Sequence, residues 1–292
     1  MAGAADADDA GVLLYDRVQQ TAWTAPAHLL RDGEGHGLLV LRKMAELIRG
    51  APVYVLDNIA VHLHERLGAF EDTEAGWREL APAAHPPSER LWFEWSLAGV
   101  AQEPFRGWHR LGVLMRRQGV DELPRHEAVP GSARYFWQPR IAVWRAEESP
   151  PLWPPTTHRA FADRDGTVFG VGRIVGPNTF GDYFTCCTLA LALLAVALLD
   201  TRNVDQEVHN APGRAAQSGQ ERPTVYRTLR IKPTRPAQPG APPLDAQACL
   251  RRQLLEGGWR VFPPERPLHG KPGLHGRYWV EPKPHAARRV GT

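Results

Sequence analysis

The residues best equipped for chemistry crowd towards the C-terminal end of this 292-residue chain. Trp259-Arg260-Val261-Phe262 and Gly276-Arg277-Tyr278-Trp279 are short aromatic stretches around a loop that carries Arg266, His269, Lys271 and His275. Rings stack on nucleobases and cations meet phosphates, so aromatic and basic residues interleaved in this way suit nucleic acid, RNA or DNA, and single strands above all. Arg230, Lys232, Arg251 and Arg252 extend the basic character upstream. The expected contact set is therefore Arg230, Lys232, Arg251, Arg252, Trp259, Arg260, Lys271, Arg277, Tyr278 and Trp279. The same pattern admits another reading, in which Trp259, Tyr278 and Trp279 close a core and the cations stay solvated. A catalytic alternative is a phosphodiester-cleaving enzyme using His269 or His275, with an arginine stabilising the developing charge. Neither histidine has an identifiable carboxylate partner in the sequence.

Elsewhere the reactive residue types fall at spacings that argue against sites. Gly33-Glu34-Gly35-His36-Gly37 lacks the third glycine of a dinucleotide fingerprint, which would fall at Leu38, and reads as a helix entry. His62 and His64 lie two residues apart, about 200° around a helix, so they cannot chelate one ion from it. Cys186 and Cys187 sit in an apolar run that raises thiol pKa values, and Cys249 has basic neighbours but no partner histidine. No GxSxG, HExxH, CxxC or calcium-loop spacing occurs. Neither metal nor cofactor is expected.

Charge divides the chain. Residues 1–209 hold 20 Lys/Arg against 27 Asp/Glu, and residues 210–292 hold 15 against 5. A basic segment of this density attracts phosphate-bearing partners, or an acidic protein, or complements the acidic body of its own chain. Arginine outnumbers lysine 31 to 4, a bias that GC-rich coding produces without any ligand. Three cysteines make no disulfide framework, and the start of the chain has no basic region leading into an apolar one, so a reduced, cytoplasmic setting is expected.

The elements that must position these residues read as α+β, with a largely antiparallel sheet, N-terminal helices and one buried apolar central helix. Residues 1–36 are expected to be a flexible acidic arm, 37–85 a helical segment, and 86–292 an α+β core whose residues 210–292 form the basic lobe. Leu38, Leu41, Met44, Ala45 and Ile48 have helical spacing and stop at Gly50-Ala51-Pro52; Asp57–Leu67 and Thr73–Ala81 read as further helices. After His85-Pro86-Pro87 the period shortens to two, with Leu91, Phe93, Trp95 and Leu97 on one face. Strands are also expected around Leu111–Met115 and over Tyr135–Trp144, the latter broken by Pro139. Asp165-Gly166 marks a hairpin turn. Tyr183–Leu199 runs 17 residues without a charge, at the lower limit for crossing a bilayer, yet its Asp182 and Asp200 flanks and its alanines favour a core helix. Strands at Asn203–Val208 and Val225–Lys232 follow.

Three landmarks together resemble a group of functionally uncharacterised proteins from bacteria and their viruses. They are the Pro-Pro-led aromatic strand ending in Glu94-Trp95, the apolar helix ending Leu198-Leu199-Asp200-Thr201-Arg202-Asn203-Val204, and the tail from Pro267 to Glu281. Where that group carries a His-x-x-Arg-Gly-His run, this chain has Cys249-Leu250-Arg251-Arg252-Gln253-Leu254, without either histidine. The resemblance implies shared organisation from about Pro86 onward and no mechanism. The expectation is a non-enzymatic, nucleic-acid-associated protein.

Overall fold

The computed structural model describes residues 13–24, 35–67, 73–82, 85–97, 109–125, 127–144, 158–173, 179–211, 224–234 and 246–281. In chain order the helices are α1 (Leu14–Thr24), α2 (Gly35–Ile48), α3 (Asp57–Leu67), α4 (Glu74–Leu80), α5 (Thr179–Leu199) and α6 (Ala246–Glu256). The strands are β1 (Val53–Val55), β2 (Arg90–Ser96), β3 (Arg110–Gly119), β4 (Tyr135–Trp144), β5 (His158–Ala162), β6 (Val168–Arg173), β7 (Val204–Asn210), β8 (Val225–Ile231), β9 (Gly258–Phe262) and β10 (Gly276–Val280).

The first eight strands form one sheet in the order β6-β5-β4-β3-β2-β1-β8-β7. The α+β expectation holds at this level, but the sheet is mixed: β1 runs parallel to both β2 and β8, while the other described pairs are antiparallel. The period-two pattern of β2 sends Leu91, Phe93 and Trp95 to one face and Trp92 and Glu94 to the other, and all five are buried. Both faces of the sheet are therefore covered at β2. Leu91, Phe93 and Trp95 share a core with α3, α4 and α5, whereas Trp92 packs with Val53, Val55, Leu114 and the inner residues of α1 and α2.

Local chemistry explains most of these elements. Thr73 caps α4 by accepting the Gly76 amide at 3.1 Å. Asp163 Oδ1 accepts the amides of Asp165 and Thr167, and Gly166 takes the left-handed conformation (φ 79°) that the β5–β6 turn needs. In α5, every residue from Leu189 to Leu198 is at most 1% exposed, as a central core helix requires. Among the described residues no helix is long and apolar enough to cross a membrane.

Three expectations are corrected. Residues 14–24 do not belong to a flexible arm: Leu14, Val18 and Ala22 are fully buried, and the amides of Leu14 and Tyr15 bond to Glu94. Residues 1–12 lie outside the described part. The helical segment 37–85 and the lobe 210–292 are not separate units, because β1 and β8 sit side by side in the middle of the one sheet. Pro139 does not break β4. It lies two residues past the last β4–β5 pair, Trp137 with Ala160, so its missing N–H removes no rung of that ladder.

Candidate nucleic-acid interface

The C-terminal aromatic stretches form the expected pair of strands, β9 antiparallel to β10 with Trp259 opposite Trp279. Their rings point inward. Trp279 is fully buried, its Nε1 donates to the Gln253 carbonyl at 2.8 Å, and its backbone is held from both sides by the Asn203 side chain. Trp259 stands edge-on to Trp279 at 4.7 Å between ring centroids and packs against the main core. Tyr278 is 6% exposed and meets Phe262 edge-to-face. Base stacking on Tyr278 and Trp279, one of the two sequence readings, is thus corrected in favour of the other, since both rings are buried, while Trp259 is half-buried against the core.

Most of the expected phosphate-binding cations are also engaged. Arg251 of α6 makes a two-pronged pair with Glu65 of α3, and its hydrogen bond holds the Glu65 carboxyl below the usual range. Arg252 pairs with Glu256 one turn on, Arg230 with Glu207 across β8–β7, and Lys232 with Asp205. Arg277 lies 5.2 Å from the Trp259 ring centroid and bonds the Ala197 carbonyl and the Asp200 carboxylate, so it closes the C-terminal end of α5. Arg66, which the sequence did not single out, does the same for α6: it donates to the carbonyls of Leu254, Leu255 and Gly257 and stacks 5.0 Å over Trp279.

What remains outward-facing is the loop end of the hairpin. Arg260 and Lys271 are exposed with no acidic partner among the described residues. Arg266 is exposed on the same loop, next to exposed Glu265. Arg202 lies against Gly276, where β10 begins, and its amide donates to the Arg277 carbonyl. Sequence reasoning missed Arg202 as part of this group because it precedes the hairpin by more than fifty residues. Only the turn joining α5 to β7 brings it there.

The two candidate catalytic histidines stand apart. The ring Nε2 of His269 contacts the Thr234 carbonyl, and since a carbonyl only accepts, that nitrogen carries the proton. His269 takes a left-handed backbone (φ 56°) to reach it, and Thr234 is in turn held by Glu281. His275 is exposed. Among the described residues neither ring has a carboxylate hydrogen-bonded to it, so the orienting group a general base needs is not supplied. His64 is buried with Nε2 accepting from Trp95 at 3.0 Å, and burial lowers its pKa to about 4. His62, on the opposite side of α3, is held below its ordinary pKa by burial also. No three His, Cys, Asp or Glu side chains among the described residues are grouped to hold a metal ion.

No family model, curated protein or solved structure matches the chain.

Away from the hairpin, two polar clusters occupy the α1–α2 side of the sheet. In the first, Glu94 accepts from the Leu14 and Tyr15 amides, Trp92 Nε1 and Arg110, while Arg110 also reaches Asp57 and Asp57 accepts the Ser96 amide at 2.6 Å. Every donor is matched inside the protein, which marks this cluster as a structural tie between α1, β2, β3 and α3. The second is a cleft of about 120 Å³ lined by Leu47, Leu114, Arg116, Gln118, Gln138 and Arg140. Its signal was present in the sequence as the i, i+2 spacing of Arg116 with Gln118 and of Gln138 with Arg140, once both stretches are read as strands.

Proposed function

We propose that the protein binds nucleic acid through phosphate contacts at the loop end of the β9–β10 hairpin. The observation that carries this reading is that Arg260 on β9, Arg266 and Lys271 on the loop that follows, and Arg202 against Gly276 are exposed, whereas Arg230, Lys232, Arg251, Arg252 and Arg277 are paired with carboxylates among the described residues. With the aromatic rings inside, affinity comes from the phosphate backbone alone and discriminates little between single strand and duplex.

Fluorescence anisotropy with a labelled oligonucleotide, as single strand and as duplex, at about 50 mM and about 200 mM salt tests the reading. Four neutralised phosphates correspond to a log–log slope of roughly −3 to −4 on duplex. Arg260→Ala combined with Lys271→Ala flattens that slope by about two. Absence of measurable binding at about 50 mM salt overturns the proposal, because electrostatic association is strongest there.

A further inference from the structure

We propose that the cleft between α2 and strands β3 and β4 is a phosphate-binding site, separate from the hairpin. Its floor is Leu114 and its wall Leu47 of α2, with Arg116 and Gln118 from β3 and Gln138 and Arg140 from β4 around it. The cross-strand register puts all of these polar side chains on one face. Leu114 pairs with Arg140 and Arg116 with Gln138, and Leu114 belongs to the core beneath α1 and α2.

Charge carries the argument further. Arg90 of β2 lies directly opposite Arg116, a like-charged cross-strand pair that destabilises a sheet unless something neutralises it. Arg140 adds a third guanidinium one step along β4. Glu122 is bonded into the group, accepting from Arg116 at 3.2 Å and Gln118 at 2.9 Å. Arg90 spends a donor on the Leu47 carbonyl, and neither Arg140 nor Gln138 has a side-chain hydrogen bond among the described residues. Arg116 and Arg140 line the cleft with Gln118 and Gln138, Arg90 lies beside it, and guanidinium and amide donors brought in from two strands suit the several oxygens of a phosphate group better than a carboxylate. The volume admits such a group, being on the order of ten times what one water needs. Glu122 holds two of the donors when the site is empty of phosphate, so it acts as an internal competitor.

The test is a calorimetric titration of the full chain with three probes: inorganic phosphate, a nucleoside 5′-monophosphate and a short single-stranded oligonucleotide. Wild type and the hairpin variant Arg260→Gln/Lys271→Gln are expected to bind at least one probe equally, which separates this site from the hairpin. Arg140→Gln is expected to weaken that binding at least about tenfold, the value of one charge-assisted hydrogen bond. Glu122→Gln is expected to tighten it. Binding of the free anions assigns the site to a small phosphorylated ligand, and binding of the oligonucleotide alone assigns it to a nucleic-acid backbone. Two results overturn the proposal: no binding of any probe beyond what the hairpin variant loses, or an Arg140→Gln protein, folded by circular dichroism, that binds as wild type does.

Discussion

The carboxylate of Glu94 and the guanidinium of Arg110 meet at 3.1 Å on adjacent strands, with Glu94 wholly removed from water. A buried pair of this kind adds little net stability over apolar side chains of the same shape, but breaking it leaves one charge without its partner. Glu94 also takes up the first amides of α1, so that helix depends on a residue eighty positions away.

Glu94→Ala is therefore expected to destabilise the fold by about 3–5 kcal/mol, the usual cost of orphaning a buried charge. Hydrogen exchange should show α1 losing protection before the rest of the sheet does. Urea unfolding that gives a loss below about 1 kcal/mol would mean that Arg110 finds enough compensation in Asp57.

His64 makes stability pH-dependent. Its pKa in the folded state is about 4, against about 6.5 in an unfolded chain, because burial disfavours the imidazolium and Trp95 already donates to Nε2. The stabilising contribution is whole above pH ~6.5 and is lost as pH falls towards about 4, the loss reaching ~3 kcal/mol there. His64→Gln, which keeps an acceptor but does not titrate, is expected to flatten this dependence. Denaturation midpoints at about pH 7.5 and pH 5 for both proteins measure it.

Gly112 cannot carry a side chain. A Cβ there would lie 2.2 Å from the Trp92 ring, which is buried and pinned through Nε1 to Glu94. Gly112→Ala is expected to cost at least about 1–3 kcal/mol in a thermal or urea melt, as overpacking does. An unchanged midpoint would require Trp92 to have another place to go.

Trp279→Ala should lower stability by about 3–5 kcal/mol through the cavity it leaves. Polyanion binding per folded molecule is expected to stay unchanged, because no base reaches the ring. A selective loss of single-strand affinity in protein that melts normally would return the ring to the binding surface.

Arg251→Ala with Arg252→Ala separates paired from free cations. Both arginines already meet carboxylates, Glu65 and Glu256, so the salt dependence of nucleic-acid binding is expected to match wild type. A slope flattened by about two would place α6 in the contact set.

Elements whose information is local were readable without the structure. The 3.6-residue period of α3, the two-residue period of β2, the Asp165-Gly166 turn and the unbroken apolar run of α5 each specify a conformation through neighbours in sequence. α1 was not readable in this way, since its polar flanks resemble a loose arm and its anchor, Glu94, lies in another element. β1 escaped as well: three residues are too few to show a period, and its partners β2 and β8 lie up to about 170 residues away.

The amino-acid order alone thus determined the kinds of element, the aromatic hairpin near the C-terminus and the basic charge of the last third. Which cations are free was decided only by the tertiary structure. Arg251 and Glu65, like Lys232 and Asp205, are brought together by folding and not by spacing, and the same is true of the crowding of Arg90, Arg116 and Arg140 on one sheet face. The reason is physical: backbone conformation responds to neighbours within a turn or two, whereas a charge responds to whatever lies within a few ångströms in space. Composition counts charges, and only packing assigns each of them to a partner, to solvent or to a ligand.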